Sequence, residues 1–269
     1  MERPAPATLL KRIRIVLARP IRPGNVGAAA RAMANMGLSD LCLVAPACDT
    51  NDEPAQGFAA RAKPLLDAAR VAESLPTALA DCVKTFATSG KGGMYRRQAA
   101  VTPWEGARLA LEAAANGPVA IAFGPEDRGL LQGEILDFDH VIEIPSDDGY
   151  PVLNLAAAVM VICYELRRAL AAEPADAAPP QTDIAAASTG EPLATDDRKR
   201  ILYDKLFNAL DRIGFFRAKP KGDHLRYALR RVLGRAALTV NEADIWTGVA
   251  QQIDWYADRC DGPDLRRVD

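Results

Sequence analysis

Three short segments of the chain carry the residue types that could do chemistry. Ile15-Val16-Leu17-Ala18 leads into Pro23-Gly24-Asn25-Val26-Gly27-Ala28-Ala29-Ala30-Arg31, and Ala120-Ile121-Ala122-Phe123 leads into Gly124-Pro125-Glu126-Asp127-Arg128-Gly129-Leu130. Ile144 leads through Pro145-Ser146-Asp147-Asp148-Gly149-Tyr150 into Pro151-Val152-Leu153-Asn154-Leu155. Asn25 and Asn154 stand where helix N-caps are expected. Gly27, among alanines, lets another backbone or a ligand approach closely. Glu126, Asp127 and Arg128 directly follow a buried strand, where charges are costly unless partnered. Each feature has an ordinary reading: a cap, a solvated turn and, for Arg31, a surface arginine on an amphipathic helix. Spacing alone leaves these alternatives open.

The elements that must position these residues alternate in type. Apolar periodicity predicts strands near 13–18, 40–45, 83–88, 118–123 and 139–144, with helices near 25–36, 104–115 and 154–171. Val-, Ile- and Ala-rich strands alternating with helices imply a parallel sheet covered on both faces. Ligands of such sheets collect at the C-terminal strand ends, where all three motifs lie. From 197 to about 258 the pattern is helical: Leu202, Leu206, Ala209, Leu210 and Ile213 form one stripe, and Leu225, Leu229, Val232 and Leu233 another. Residues 171–195 hold no Lys or Arg, but do hold Glu173, Asp176, Asp183 and Glu191 among prolines and alanines, which reads as a flexible linker. The expected organisation is a domain over 1–170, this linker, and a helical domain over 196–269.

Composition excludes several classes. The chain has 49% apolar and 25% charged residues, an ordinary globular balance. No apolar run approaches the length of a membrane span, and Met1-Glu2-Arg3-Pro4 lacks a signal-peptide core, so a cytoplasmic location is expected. The five cysteines form no close pair, and His140 and His224 are the only histidines. A disulfide framework, a histidine metal site or a Ser-His-Asp triad has little material to draw on. No G-x-G-x-x-G occurs, so the standard NAD fingerprint is absent. The net charge of -2 hides an uneven distribution: residues 1–38 are net +6 and residues 198–235 net +9. Two basic segments suit a polyanion contacted at two places, with a solvated helix face as the alternative.

In order and residue type, the three segments resemble the signature motifs of the SPOUT methyltransferases, in the RNA 2'-O-ribose branch. The tail, with Gly214-Phe215 and Arg231-Val232-Leu233-Gly234-Arg235 through Glu242-Ala243, is similar to the C-terminal extension of the bacterial TrmJ-like subfamily. The resemblance implies an α/β fold with a parallel sheet and a deep trefoil knot, plus a small C-terminal all-helical domain. It also implies a homodimer with its active site at the subunit interface and S-adenosylmethionine as cofactor. The implied substrate is the ribose of cytidine or uridine at the first anticodon-loop nucleotide of tRNA, position 32 in tRNA numbering. Arg31, Asn154, Glu126 and Asn25 fall on the family's catalytic positions. Thr88, Ser89, Gly90, Gly124, Ile144, Pro151, Val152 and Leu153 fall on its cofactor pocket. Lys91, Arg96, Arg97, Arg22, Arg230 and Arg231 are the implied RNA contacts. No metal or membrane partner is implied. Other readings are an enzyme of this fold acting on another RNA, and an RNA-binding protein without turnover.

Two departures from the family pattern stand out. Val152 occupies the usual serine position, and its side chain cannot hydrogen-bond a ribose or a cofactor. Ser89-Gly90-Lys91-Gly92-Gly93 replaces a more usual Ser-Ala-Arg run. Methyl transfer from a sulfonium to a ribose oxygen disperses the donor's charge and needs no metal to activate the leaving group. It needs orientation and an outlet for the hydroxyl proton. A guanidinium hardly deprotonates in proteins, which favours Arg31 as an electrostatic stabiliser over a general base.

Overall fold

A parallel strand covered on both faces reads as an apolar run; Ile13–Ala18 (β1) is such a strand, with every residue buried. The computed structural model describes residues 6–90, 100–171, 191–216 and 222–259. In it, β1 pairs in parallel with Asp40–Val44 (β2) and with Val119–Phe123 (β5). Beyond β2 lies Arg70–Ala72 (β3); beyond β5 lie Lys84–Ser89 (β4) and His140–Glu143 (β6). The six strands run in the order β3-β2-β1-β5-β4-β6, all parallel. Five lie within one residue of where periodicity predicts them. The sixth, β3, is three residues long with two of them exposed, so it leaves neither an apolar run nor an alternation to detect.

Helices cover the sheet: Pro6–Lys11 (α1), Pro23–Met36 (α2), Glu53–Ala59 (α3), Lys63–Asp67 (α4), Leu75–Leu79 (α5), Pro103–Ala114 (α6), Gln132–Ile135 (α7) and Leu155–Ala171 (α8). The five-to-seven-residue helices α3 to α5 are too short to express a helical period and were not foreseen. Val16, Ala18, Cys42, Val44, Ala120 and Ala122 pack against α5 and α7 residues on one face. On the other, α6 crosses β1, β4 and β5 and packs on α8, which packs on α2. Local signals set the ends of these helices. Pro23 opens α2 and Gly37, at φ +84°, closes it. Thr102 and Glu105 form a capping box on α6.

The chain divides into two compact units, 1–183 and 184–269. The described part of the second holds Asp196–Arg212 (α9), Gly222–Arg235 (α10) and Val240–Arg259 (α11). Its core gathers Leu202, Tyr203, Leu206, Ala209, Leu233, Leu238, Ala243 and Ala250. Of the expected stripes, Ile213 and Val232 remain exposed. The linker expected to run to 195 ends earlier. Leu193 bridges Thr239, and the amides of Ala194 and Val240 bond the carbonyls of Leu238 and Pro192, so the chain from Pro192 belongs to the helical unit. Cys42, Cys82 and Cys163 are buried thiols, and burial pushes Cys163 up to about 12.

Two electrostatic expectations need correction. Much of the N-terminal basic cluster is committed internally. Arg12 donates to the carbonyls of Ala114 and Ala115, Arg14 is buried against Asp40 and Asp81, and Arg19 pairs with Glu134, leaving Lys11, Arg22 and Arg31 exposed among the described residues. In the tail, Arg198 pairs with Asp244, and Arg212 with Asp254 and Asp258. Those acids lie on α11, beyond the basic stretch 198–235, and they neutralise much of α9. A linear charge count cannot see partners brought in by the fold.

Candidate active site

At the C-terminal ends of β4 and β5, the chain after β6 closes one cavity of about 520 Å³, the position a parallel sheet favours for ligands. Thr88, Ser89 and Gly90 line it from β4; Gly124 and Glu126 from the loop after β5; Ile144, Val152 and Leu153 from the chain between β6 and α8. Thr88 is held by donating its hydroxyl to the Ala122 carbonyl at 3.0 Å. Gly124 is required by packing, since a Cβ there would sit 2.0 Å from backbone atoms of Gly129 and Leu130. Gly129 itself turns at φ +71°. The loop therefore folds back on itself and presents Leu130, Leu131 and Gln132, with Ile135 of α7, as a further wall. Sequence reasoning missed that wall. The spacing of Gly124 and Gly129 was its available signal.

Glu126 ties this loop to the first motif. Its carboxylate accepts from the amides of Ile21 at 2.9 Å and Arg22 at 3.0 Å, and from Asn25 Nδ2 at 2.8 Å. Burial alone would raise its pKa, but the hydrogen bonds from Asn25, from Ile21 and Arg22 and from its own backbone outweigh it and hold the carboxyl below the usual range. Asn25 Oδ1 accepts from Asn154 Nδ2 at 3.0 Å. Asn154 Oδ1 caps α8 by accepting from the amides of Ala156 and Ala157. The first segment, more than a hundred residues before the other two, thus joins them in one polar chain running from Glu126 to a helix N-terminus.

The Asn154 cap is as expected; the Asn25 cap is not. Pro23 starts α2 two residues earlier, so Asn25 lies in the first turn and its side chain is free to bridge Glu126 and Asn154. Gly27 serves close packing against protein, since a Cβ would lie 2.0 Å from the Ala55 carbonyl oxygen. Pro151 does not line the cavity; its carbonyl accepts from Ser146 Oγ at 2.8 Å and braces the loop. Arg31 sits on the exposed side of α2 and does not line the cavity, and Arg22 is exposed at the start of that helix. Arg230 and Arg231 lie on α10 in the second unit, where Arg230 stacks on Tyr203 at 4.7 Å. Lys91, Arg96 and Arg97 lie outside the described residues. Among the described residues no His, Cys, Asp and Glu cluster could hold a metal ion, and no helix is long and apolar enough to cross a membrane.

The model of the SpoU rRNA methylase family matches residues 12–164, which takes in every element of this cavity. The chain belongs to that family. Among its SpoU relatives is the tRNA (cytidine/uridine/adenosine-2'-O-)-methyltransferase TrmJ of Pseudomonas aeruginosa strain UCBPP-PA14, 39% identical over 249 residues, covering 90% of this chain and 93% of the relative. The tRNA (cytidine/uridine-2'-O-)-methyltransferase TrmJ of Salmonella typhimurium strain LT2 is 36% identical over 248 residues, covering 91% and 98%. The crystal structure of TrmJ from Z. mobilis ZM4 superposes with a TM-score of 0.71 at 30% identity, covering 90% of this chain and 98% of that one. SpoU membership accounts for the order of the three motifs, and these relatives match through the helical tail as well.

Proposed function

We propose that this chain methylates the ribose 2'-hydroxyl of cytidine or uridine at the first anticodon-loop nucleotide of tRNA, with S-adenosylmethionine as methyl donor. The observation that carries the reading is the polar chain from Glu126 through Asn25 to Asn154 beside a mostly apolar cavity, in a SpoU protein whose near full-length relatives are named as tRNA 2'-O-methyltransferases. The cavity fits the cofactor in size and chemistry. Its volume of about 520 Å³ is that of a small-molecule site. Leu131, Ile144 and Leu153 offer apolar surface for a flat ring, Thr88 and Ser89 offer polar atoms, and Glu126 and Asp127 supply negative charge for a cationic donor. When bound, S-adenosylmethionine supplies an electrophilic methyl group on a sulfonium.

The chain's own residues supply orientation and charge. Glu126, kept ionised by its donors, fixes Asn25 and the Ile21–Arg22 turn. Asn154, itself fixed by the α8 amides, holds the third segment against the first. Arg31 reaches the target in a homodimer in which the partner subunit presents it, stabilises the developing alkoxide and clamps the adjacent phosphate. Its exposed position away from its own cavity supports this placement. The knot belongs to the same proposal, as do RNA contacts by Arg22, Lys91, Arg96 and Arg97 and by the α10 arginines.

The deciding experiment is transfer of labelled methyl from S-adenosylmethionine to unmodified total tRNA, followed by nuclease digestion and mass spectrometry. Label in Cm or Um at the first anticodon-loop position supports the proposal; cofactor binding without label there redirects it to another RNA. For Arg31, near-normal turnover of Arg31→Lys with an unusually low pH optimum would establish a general base instead of a stabiliser.

A further inference from the structure

Leaving β1, the chain turns through the left-handed region at Arg19, φ +50°. Glycine adopts that conformation freely, whereas a residue with a Cβ is strained there. The arginine side chain does what glycine could not. Its guanidinium grips both oxygens of Glu134, Nη1 to Oε1 at 2.8 Å and Nη2 to Oε2 at 2.8 Å, the fork-to-fork geometry of a strong ion pair. The two side chains are only 28% and 21% exposed. Glu134 also accepts from the Leu131 amide at 2.8 Å and belongs to α7. That helix has four residues, too few to hold itself in place. Leu131, Gln132 and Ile135 of this same turn line the cavity.

Two and three residues after Arg19, the amides of Ile21 and Arg22 hold Glu126. The β1–α2 turn therefore fastens the cavity loop at two points, at Glu126 through backbone amides and at Glu134 through Arg19. We infer that Arg19 and Glu134 are positioning residues for the cofactor: their ion pair sets the outer wall of the pocket, and with it the affinity for S-adenosylmethionine, without entering the transfer step. The inference rests on the adenosylmethionine reading above.

The test measures S-adenosylmethionine binding by calorimetry, and steady-state turnover, for the full-length protein and for Arg19→Met, Glu134→Gln, Arg19→Gly and the exchange Arg19→Glu/Glu134→Arg. Glu134→Gln retains an oxygen for the Leu131 amide and so removes the ion pair alone. Each single variant is expected to weaken cofactor binding and raise its KM about five- to tenfold, with kcat at saturating cofactor and the KM for tRNA unchanged. The exchange re-forms the ion pair but leaves the Leu131 amide without its side-chain acceptor, so it restores part of the affinity. Arg19→Gly relieves the backbone, so its melting temperature holds or rises while binding weakens, which a purely structural role would not produce. Wild-type affinity in the single variants, or loss of kcat at unchanged KM, overturns the inference and leaves the functional reading standing. Failure of the wild-type protein to bind S-adenosylmethionine overturns both.

Discussion

Asn154 Nδ2 donates to Asn25 Oδ1 at 3.0 Å across 129 positions of sequence. The direction of that bond is not free. Asn154 Oδ1 is occupied by the amides of Ala156 and Ala157, so its nitrogen must face Asn25; the nitrogen of Asn25 is in turn committed to the Glu126 carboxylate. Donors and acceptors are ordered from one end of the chain to the other. Replacing Asn25 by Asp keeps the shape but sets a second carboxylate against Glu126. Turnover is expected to fall at least about tenfold, equivalent to about 1.4 kcal/mol of transition-state stabilisation, and the melting temperature to drop. Steady-state kinetics and thermal denaturation check both.

Glu126 has a pKa lowered by folding, despite the opposing effect of burial. Its stabilising contribution is therefore complete above the unfolded carboxylate pKa of about 4.3 and is lost as pH falls through the folded value. Glu126→Gln leaves the donors from Ile21, Arg22 and Asn25 competing for one oxygen. The variant should be less stable by about 2 kcal/mol at neutral pH. That gap should shrink as pH falls below the unfolded value and through the lowered folded one, where the wild-type carboxyl also becomes neutral. Urea unfolding of both proteins at neutral and acid pH measures it, and a gap independent of pH would count against the ionised network.

Val152 lines the cavity with its side chain half exposed. Val152→Ser removes little buried surface, so stability should change by less than about 0.5 kcal/mol. A hydroxyl at that wall adds a hydrogen-bonding group within reach of a bound ligand. Turnover is expected to rise severalfold, in line with about 1 kcal/mol for one hydrogen bond. A fall in turnover would show that the wall is adapted to valine.

In the tail, the pairing of charges separates Arg198 and Arg212 of α9 from Arg231 of α10. Arg198 and Arg212 are bound to Asp244, Asp254 and Asp258. Arg231, by contrast, has its Nε buried with no hydrogen-bond partner among the described residues, and burial together with Arg235 lowers its pKa. Arg231→Ala should weaken tRNA binding and reduce the slope of log affinity against log salt by about 1. Arg198→Ala should leave that slope unchanged and lower stability by no more than about 1 kcal/mol, as exposed pairs do. Filter-binding across a salt series distinguishes the two arginines.

Much of this protein is legible without coordinates. The five longer strands, α2, α6 and α8 announce themselves because a covered strand is mostly apolar and a long helix must repeat its buried face. The three motifs are legible through their order and their resemblance to a family, since each alone has an ordinary reading, and seven of the eight residues expected at the cofactor pocket line one cavity. Short elements escape: β3 and α3 to α5 are too brief to express a period, and their placement is decided by what they pack against.

The sequence by itself determined five of the six segments that form the sheet and which residue types stand at its C-terminal edge, since both follow from local burial and local turn chemistry. Only the tertiary structure decided partners. Asn25 bridges instead of capping because Pro23 starts the helix early and Glu126 arrives from a hundred residues away. Arg12, Arg14 and Arg19 are internal ties and not phosphate ligands because their acceptors come from α6, from Asp40 and Asp81, and from α7. A charge or an amide has many possible partners along a chain, and folding selects among them by proximity, which no linear spacing records.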